Sequence, residues 1–263
     1  MNQMRKVCFF QRSNTSKAEA QKVFLVGTSR SGTTLLQSML AAHPQICSFP
    51  ESHFFYGLTS DRNRWQKLLN IAGPNAGSHL VEFLSKMDRT DLKAKLRART
   101  VFIPHYISAF VRILNTITQE QNKSIWLEKT PIHLHFIDTI EKYIQPVKFI
   151  HIVRNGPDVI ASIYDVTQKY PHLWGGSRSI DACIDRWISD FRITARYIDA
   201  DNHRVVIYKN IVTDPRRELT KLCQFMDIHY DDGMLNCYGD SAKAVSLASE
   251  PWKQSASQSI CST

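Results

Sequence analysis

The 263-residue sequence predicts an α/β fold in three layers, a central parallel sheet flanked by helices and carrying a helical insertion. Three observations lead there. Short β-branched and aromatic runs alternate with helically spaced ones, the first strand passes into the first helix through a glycine-bearing loop, and one long helical stretch interrupts the alternation. Parallel neighbours need a crossover connection, and crossover helices cover both faces of the sheet. With 43% hydrophobic and 22% charged residues, the composition is that of a chain with a packed core, and a single domain over 1–263 is expected.

Lys22 to Val26 reads as the first strand, ending at Gly27. Thr33 to Ala42 follows as a helix with Leu35, Leu36, Met39 and Leu40 on one side, stopped by His43-Pro44. Gln45 to Ser48 is a second short strand before Pro50-Glu51. The helical insertion runs from about 57 to 122, broken at Gly73-Pro74 and Pro104. Strands return at Ser124 to Leu127, Val147 to Val153 and Arg204 to Tyr208. Between and after them lie helical patterns at Ile132 to Tyr143, Asp158 to Lys169, Ile180 to Ala200 and Pro215 to Met226. The Ser-rich stretch from about 236 to 263 lacks periodicity and reads as a loop.

The formal charge of +9 asks for an anionic partner, but Lys and Arg are spread along the chain instead of forming a tail or one basic helix, so no nucleic acid is expected. Six scattered cysteines without a C-x-x-C pair speak against a structural zinc site and fit reduced, buried thiols, so a cytoplasmic setting is expected. The apolar run Val7 to Phe10 is too short for a signal-peptide core, and no run of 18 apolar residues follows, so no membrane span is expected.

Gly27-Thr-Ser-Arg-Ser-Gly32-Thr33-Thr34 keeps the glycine spacing of the phosphate-binding P-loop between strand and helix. Such a loop turns successive N–H groups toward phosphate oxygens, and the helix N-terminus adds partial positive charge. Thr33 stands where the lysine that reaches the outer phosphates of a nucleoside triphosphate belongs. The strand-like Phe149 to Val153 ends in Arg154, with no aspartate placed to hold magnesium. A triphosphate is therefore disfavoured, while Arg30 can reach an anionic group beyond a 5′-phosphate. Arg154-Asn-Gly-Pro157-Asp-Val-Ile-Ala-Ser162 supplies a guanidinium at a strand end and a hydroxyl on the next helix, suited to a second phosphate.

Val26 to Leu36 resembles the 5′-phosphosulfate loop of the sulfotransferase superfamily, and Ile152 to Ser162 resembles its 3′-phosphate motif. Ala42 to Glu51 resembles the segment after the first helix in the tyrosylprotein and bacterial branches. The resemblance implies a P-loop NTPase-like fold and 3′-phosphoadenosine-5′-phosphosulfate (PAPS) as co-substrate, with no metal. Arg30, Ser31, Gly32, Thr33 and Thr34 would hold the 5′-phosphosulfate, and Arg154 and Ser162 the 3′-phosphate. Glu51 takes the position of the family's catalytic base, and Lys129, in Leu127-Glu-Lys-Thr-Pro131, that of a lysine beside the transferring group. Tyr208 would sit near the nucleotide, and Lys253, in Pro251-Trp252-Lys253, in a segment closing over it. His53 departs from the arginine usual in the tyrosylprotein branch, which leaves a small-molecule, carbohydrate or lipid hydroxyl as acceptor. A P-loop kinase for small molecules, or an inactive binder of nucleotide or sulfated polymer, are the alternatives.

Overall fold

The fold is described from a computed structural model for residues 19–59, 62–95 and 101–245. Strand β1 (Gln21–Gly27) leads into helix α1 (Thr33–Ala41) and the short β2 (Ile46–Ser48). The insertion follows as α2 (Phe54–Thr59), α3 (Arg64–Leu68), α4 (Ala76–Lys86) and the 18-residue α5 (Ile103–Glu120). Pro104, expected to interrupt this stretch, instead occupies the first turn of α5, where a missing N–H costs nothing.

Next come β3 (Ile125–Lys129), a 3₁₀ segment (Pro131–Phe136), α6 (Ile137–Tyr143), β4 (Lys148–Val153), α7 (Gly156–Lys169) and α8 (Ile180–Ala195). The chain continues through β5 (His203–Ile207), α9 (Tyr208–Thr213), α10 (Pro215–Phe225), α11 (Gly233–Asn236) and α12 (Tyr238–Val245). Tyr208 thus opens a helix; it was expected to end a strand. The expected loop after 236 contains α12, a short helix that packs against α1. Eight residues carry too weak a periodicity to declare themselves, and tertiary packing supplies the stability.

The five strands are all parallel, in the order β2-β3-β1-β4-β5. From β1 the chain runs to β2 at one edge, returns to β3 between the two, and then crosses to β4 and β5 on the other side of β1. Loops at the carboxyl ends of β1, β3 and β4 therefore face one crevice, the place where open parallel sheets bind ligands. Alternation along β1 divides the core. Phe24 and Val26 face a cluster with Trp126, Phe149 and the insertion's Phe54, Phe55 and Phe110, whereas Val23 and Leu25 face Leu36, Leu40, Ile150 and Leu222. No helix among the described residues is long and apolar enough to cross a membrane.

Beneath the sheet, His151 on β4 and His203 on β5 share a hydrogen bond of 2.8 Å between Nε2 and Nδ1, and His203 Nε2 meets Glu141 Oε1 at 3.1 Å. Phe149 and Tyr197 stack on the two faces of His203. Burial, with His203 adding to it, pushes His151 down to about 3. The unfolded chain binds this proton near pH 6.5 while the folded chain refuses it, so the contribution is complete above that pH and is lost as pH falls toward 3. Between pH 6.5 and 5 unfolding free energy should drop by about 1 to 2 kcal/mol more in the wild type than in His151→Asn, measured by urea denaturation.

Candidate active site

The loop after β1 is strained where it would grip a ligand. Arg30 has φ of 72° and Gly32 φ of 94°, both in the left-handed region. Gly32 is irreplaceable there on a second ground, because a Cβ would lie 2.4 Å from the Tyr208 ring. Helix α1 starts at Thr33 with no side chain capping its first N–H groups. The Ser31 hydroxyl is buried without a hydrogen-bond partner, so a polar donor and a set of helix-start amides converge unanswered. An anionic phosphate group fits that cradle. Thr33 is buried in the lysine position.

Arg30 reaches across to α7, its Nε donating to Ser162 Oγ at 3.0 Å. Burial pushes the Arg30 guanidinium's pKa down and the nearby Arg154 adds to this, with Asp165 opposing. Arg154 lies over the Tyr208 ring, 4.6 Å from its centre, and donates to Asp158 Oδ2 through Nε and Nη2 at 3.1 and 2.9 Å. Its carbonyl accepts from Trp187 Nε1, which pins the end of β4 to α8. The expected residues Arg30, Ser31, Gly32, Arg154, Ser162 and Tyr208 therefore meet at one place. Their pairing differs from expectation in one respect: Ser162 is engaged by Arg30, and Arg154 by Asp158. Lys253 lies outside the described residues.

Glu51 and Lys129 also meet, with Lys129 Nζ donating to Glu51 Oε1 at 2.5 Å. Lys129 is only 1% exposed, Glu51 14%. The other carboxylate oxygen lies 3.5 Å from His53 Nε2. Desolvation pushes the His53 imidazole down, with the Glu51 carboxylate opposing. A cleft of about 150 Å³ opens here, lined by Thr28 and Ser29 of the loop, Glu51, His53 and two arginines, Arg178 and Arg186.

The Glu51 loop is held from behind by a group that sequence reasoning missed. Glu128, fully buried, accepts from Ser52 Oγ at 2.7 Å and Thr130 Oγ1 at 2.6 Å on one oxygen, and from His133 Nδ1 at 2.8 Å on the other. His133 Nε2 in turn accepts from the Phe55 N–H at 3.3 Å, which fixes Nδ1 as the donor. Burial raises the Glu128 pKa, but the His133, Thr130 and Ser52 donors outweigh it and hold the carboxyl below the usual carboxylate range. From the other side, Gln37 on α1 donates to Phe49 O at 2.8 Å.

A profile of the sulfotransferase family matches residues 22–232, which contain all but the first residue of β1, every described element from there to β5 and both phosphate motifs. The chain belongs to the sulfotransferase family. A protein-tyrosine sulfotransferase of Drosophila melanogaster is 23% identical over 233 residues, 86% of this chain and 42% of that protein. The chain spans about half the length of the curated relatives it matches. Among solved structures, the sulfotransferase domain of the Synechococcus PCC 7002 olefin synthase superposes with a TM-score of 0.62 at 25% identity, covering 93% of this chain and 86% of that one. The sulfotransferase domain from the curacin biosynthetic pathway gives 0.61 at 22% identity, covering 92% and 83%. The fold is the P-loop NTPase-like one that the loop implied.

These relatives correct one expectation. Protein-tyrosine sulfotransferases are Golgi membrane enzymes, which overturns the cytoplasmic setting drawn from the cysteines. The physical reason is that Cys47, Cys183 and Cys223 are buried thiols that behave as small apolar side chains, and such packing carries no record of compartment.

The Glu128 network yields a stability test. In Glu128→Gln the amide nitrogen must face either His133 Nδ1–H or the two hydroxyls, so a donor meets a donor or the Phe55 N–H loses its acceptor. Unfolding free energy should fall by about 1 to 3 kcal/mol in urea titrations. Wild-type stability in that variant would show that the carboxylate is not the anchor of the Glu51 loop.

Proposed function

We propose that this chain transfers a sulfuryl group from PAPS to a hydroxyl acceptor. The observation that carries the reading is the Lys129 to Glu51 contact at the cleft beside the phosphate loop: a cation and a carboxylate held together where a transferring group would lie. Membership of the sulfotransferase family and the absence of the triphosphate lysine at Thr33 support the same donor.

In this mechanism the loop amides from Ser31 to Thr34 and the Arg30 guanidinium bind the 5′-phosphosulfate. Arg154 and Ser162 bind the 3′-phosphate, and Tyr208 packs beside them. The acceptor oxygen attacks sulfur as the bond from sulfur to the bridging oxygen of the 5′-phosphate breaks. The acceptor proton passes to Glu51, and 3′-phosphoadenosine-5′-phosphate leaves. Lys129 neutralises charge developing on the bridging and sulfuryl oxygens. His53 stands beside Glu51 on the open side of the cleft, placed to pass the proton to solvent.

The donor is tested by binding. At a hundred times its dissociation constant, 3′-phosphoadenosine-5′-phosphate should add about 2.7 kcal/mol to stability, seen as a rise in Tm, while ATP with magnesium gives a smaller one. A stronger response to ATP would make the chain a P-loop kinase.

The chemistry is tested by substitution. Lys129→Ala should slow turnover about a hundred-fold or more with bisphosphate binding intact, in line with the loss of one transition-state stabiliser. Glu51→Gln should abolish most transfer to an alcohol. Near-normal rates in Glu51→Gln would hand the base role to His53.

A further inference from the structure

The donor cradle and the Glu51 loop belong to different pieces of chain, and one side chain ties them together. Helix α1 carries the cradle at its start, Thr33, and Gln37 lies four residues on, one turn along the same face. Gln37 is buried. Its Nε2 donates to Phe49 O at 2.8 Å and to Ser48 Oγ at 3.0 Å, and the Ser48 hydroxyl donates on to Leu127 O of β3 at 3.4 Å. A backbone carbonyl only accepts, so the contact with Phe49 fixes which end of the amide faces the loop. The other end, Oε1, is buried without a hydrogen-bond partner. An unanswered amide oxygen costs free energy in the interior. What the glutamine supplies against that cost is two donors, both directed at the segment that leads into Glu51.

Glu51 is thereby clamped at two points with different references. Ser52, on its C-terminal side, is fixed through Glu128 to β3, the strand that also carries Lys129. Phe49, on its N-terminal side, is fixed through Gln37 to α1, with its ring against Phe83 of α4. Of the two ties, only the second runs to the helix whose first turn forms the phosphate cradle.

Resting on the sulfuryl-transfer reading, we infer that Gln37 is a positioning residue that couples the phosphate cradle to Glu51. It sets the separation between the Glu51 carboxylate and a donor held at the start of α1, and it passes the ordering of that helix start by a ligand on to the Glu51 loop.

The test uses Gln37→Met, which keeps the length of the side chain and removes both donors. Transfer from labelled PAPS to an alcohol should fall about ten- to a hundred-fold in kcat, the range that a misplacement of about 1 Å costs. The dissociation constant of 3′-phosphoadenosine-5′-phosphate, read by calorimetry, should stay within about two-fold, and so should the residual rate when Gln37→Met is added to Glu51→Gln, because the placement of the base no longer matters there. An equal loss in the Glu51→Gln background overturns the inference, since Gln37 then supports the fold and not the base.

Hydrogen exchange reads the coupling without turnover. Saturation with 3′-phosphoadenosine-5′-phosphate should slow backbone exchange over residues 27–34 and 46–53 in the wild type, but over 27–34 alone in Gln37→Met. Protection confined to 27–34 in the wild type, or equal protection of 46–53 in both proteins, overturns the inference; the wild-type half of the measurement stands even where the variant fails to fold. Protection of neither segment faults the donor reading, and the inference falls with it. The full pattern of protection in a wild type that transfers no sulfuryl group faults the sulfuryl-transfer reading alone.

Discussion

A carboxylate at zero exposure organises the mouth of the cleft. Glu128 lies inside the sheet layer, where an ionised group survives only if its oxygens are answered, and the groups that answer it come from four separate pieces of chain. Ser52 belongs to the loop after β2, Thr130 to the end of β3, His133 to the 3₁₀ segment, and Phe55, through His133, to the insertion. None of the four can shift without leaving a polar atom unpaired in the interior. The position of Glu51, one residue from Ser52, follows from that closure. Because side chains alternate along a strand, Lys129 leaves β3 on the face opposite to Glu128. Two acid-base contacts thus stand back to back, one structural and one at the cleft.

The phosphate loop is governed by a different constraint, the close approach of Tyr208 to Gly32. The first residue of α9 lies against the turn before α1 and carries Arg154 on its other side, so β1, β4 and β5 all deliver their carboxyl ends to one point. This is why a chain with its basic residues scattered in sequence concentrates positive charge there. Arg30 and Arg154 come from loops 124 residues apart, yet Arg154 adds to burial in lowering the proton affinity of Arg30.

Much of this was legible in sequence because it is local. The loop, all five strands and the Pro157 helix start are contiguous patterns with a physical meaning of their own, and Arg30, Ser162 and Arg154 of the two motifs lie near one another, with Tyr208 against Arg154. What stayed hidden depends on tertiary contacts. Glu128 precedes Lys129 in a strand and gives no sign that its partners are 76 residues upstream and five downstream. Arg186 and Asp190 look like an ordinary surface pair at helical spacing, and only the burial of Asp190 against His135 separates them from one. The α12 helix and the strand-to-helix change at Tyr208 were missed for the same reason: each is decided by what it packs on.

In the mechanism we propose, the contact between Lys129 and Glu51 bears on the order of events. Lys129 donates to one oxygen of Glu51, and an ammonium beside a carboxylate favours its charged form. A donor sulfuryl group at the cleft would compete for the same ammonium. As charge built on the bridging oxygen, Lys129 would be drawn toward it, leaving Glu51 to take the proton of the acceptor hydroxyl. One buried lysine would then couple leaving-group stabilisation to base activation, and no hydroxyl would be deprotonated at a cleft without donor. The Glu128 network makes that exchange workable. It holds the backbone on both sides of the contact still, so that the motion is confined to the lysine side chain, whose flexible stem allows it.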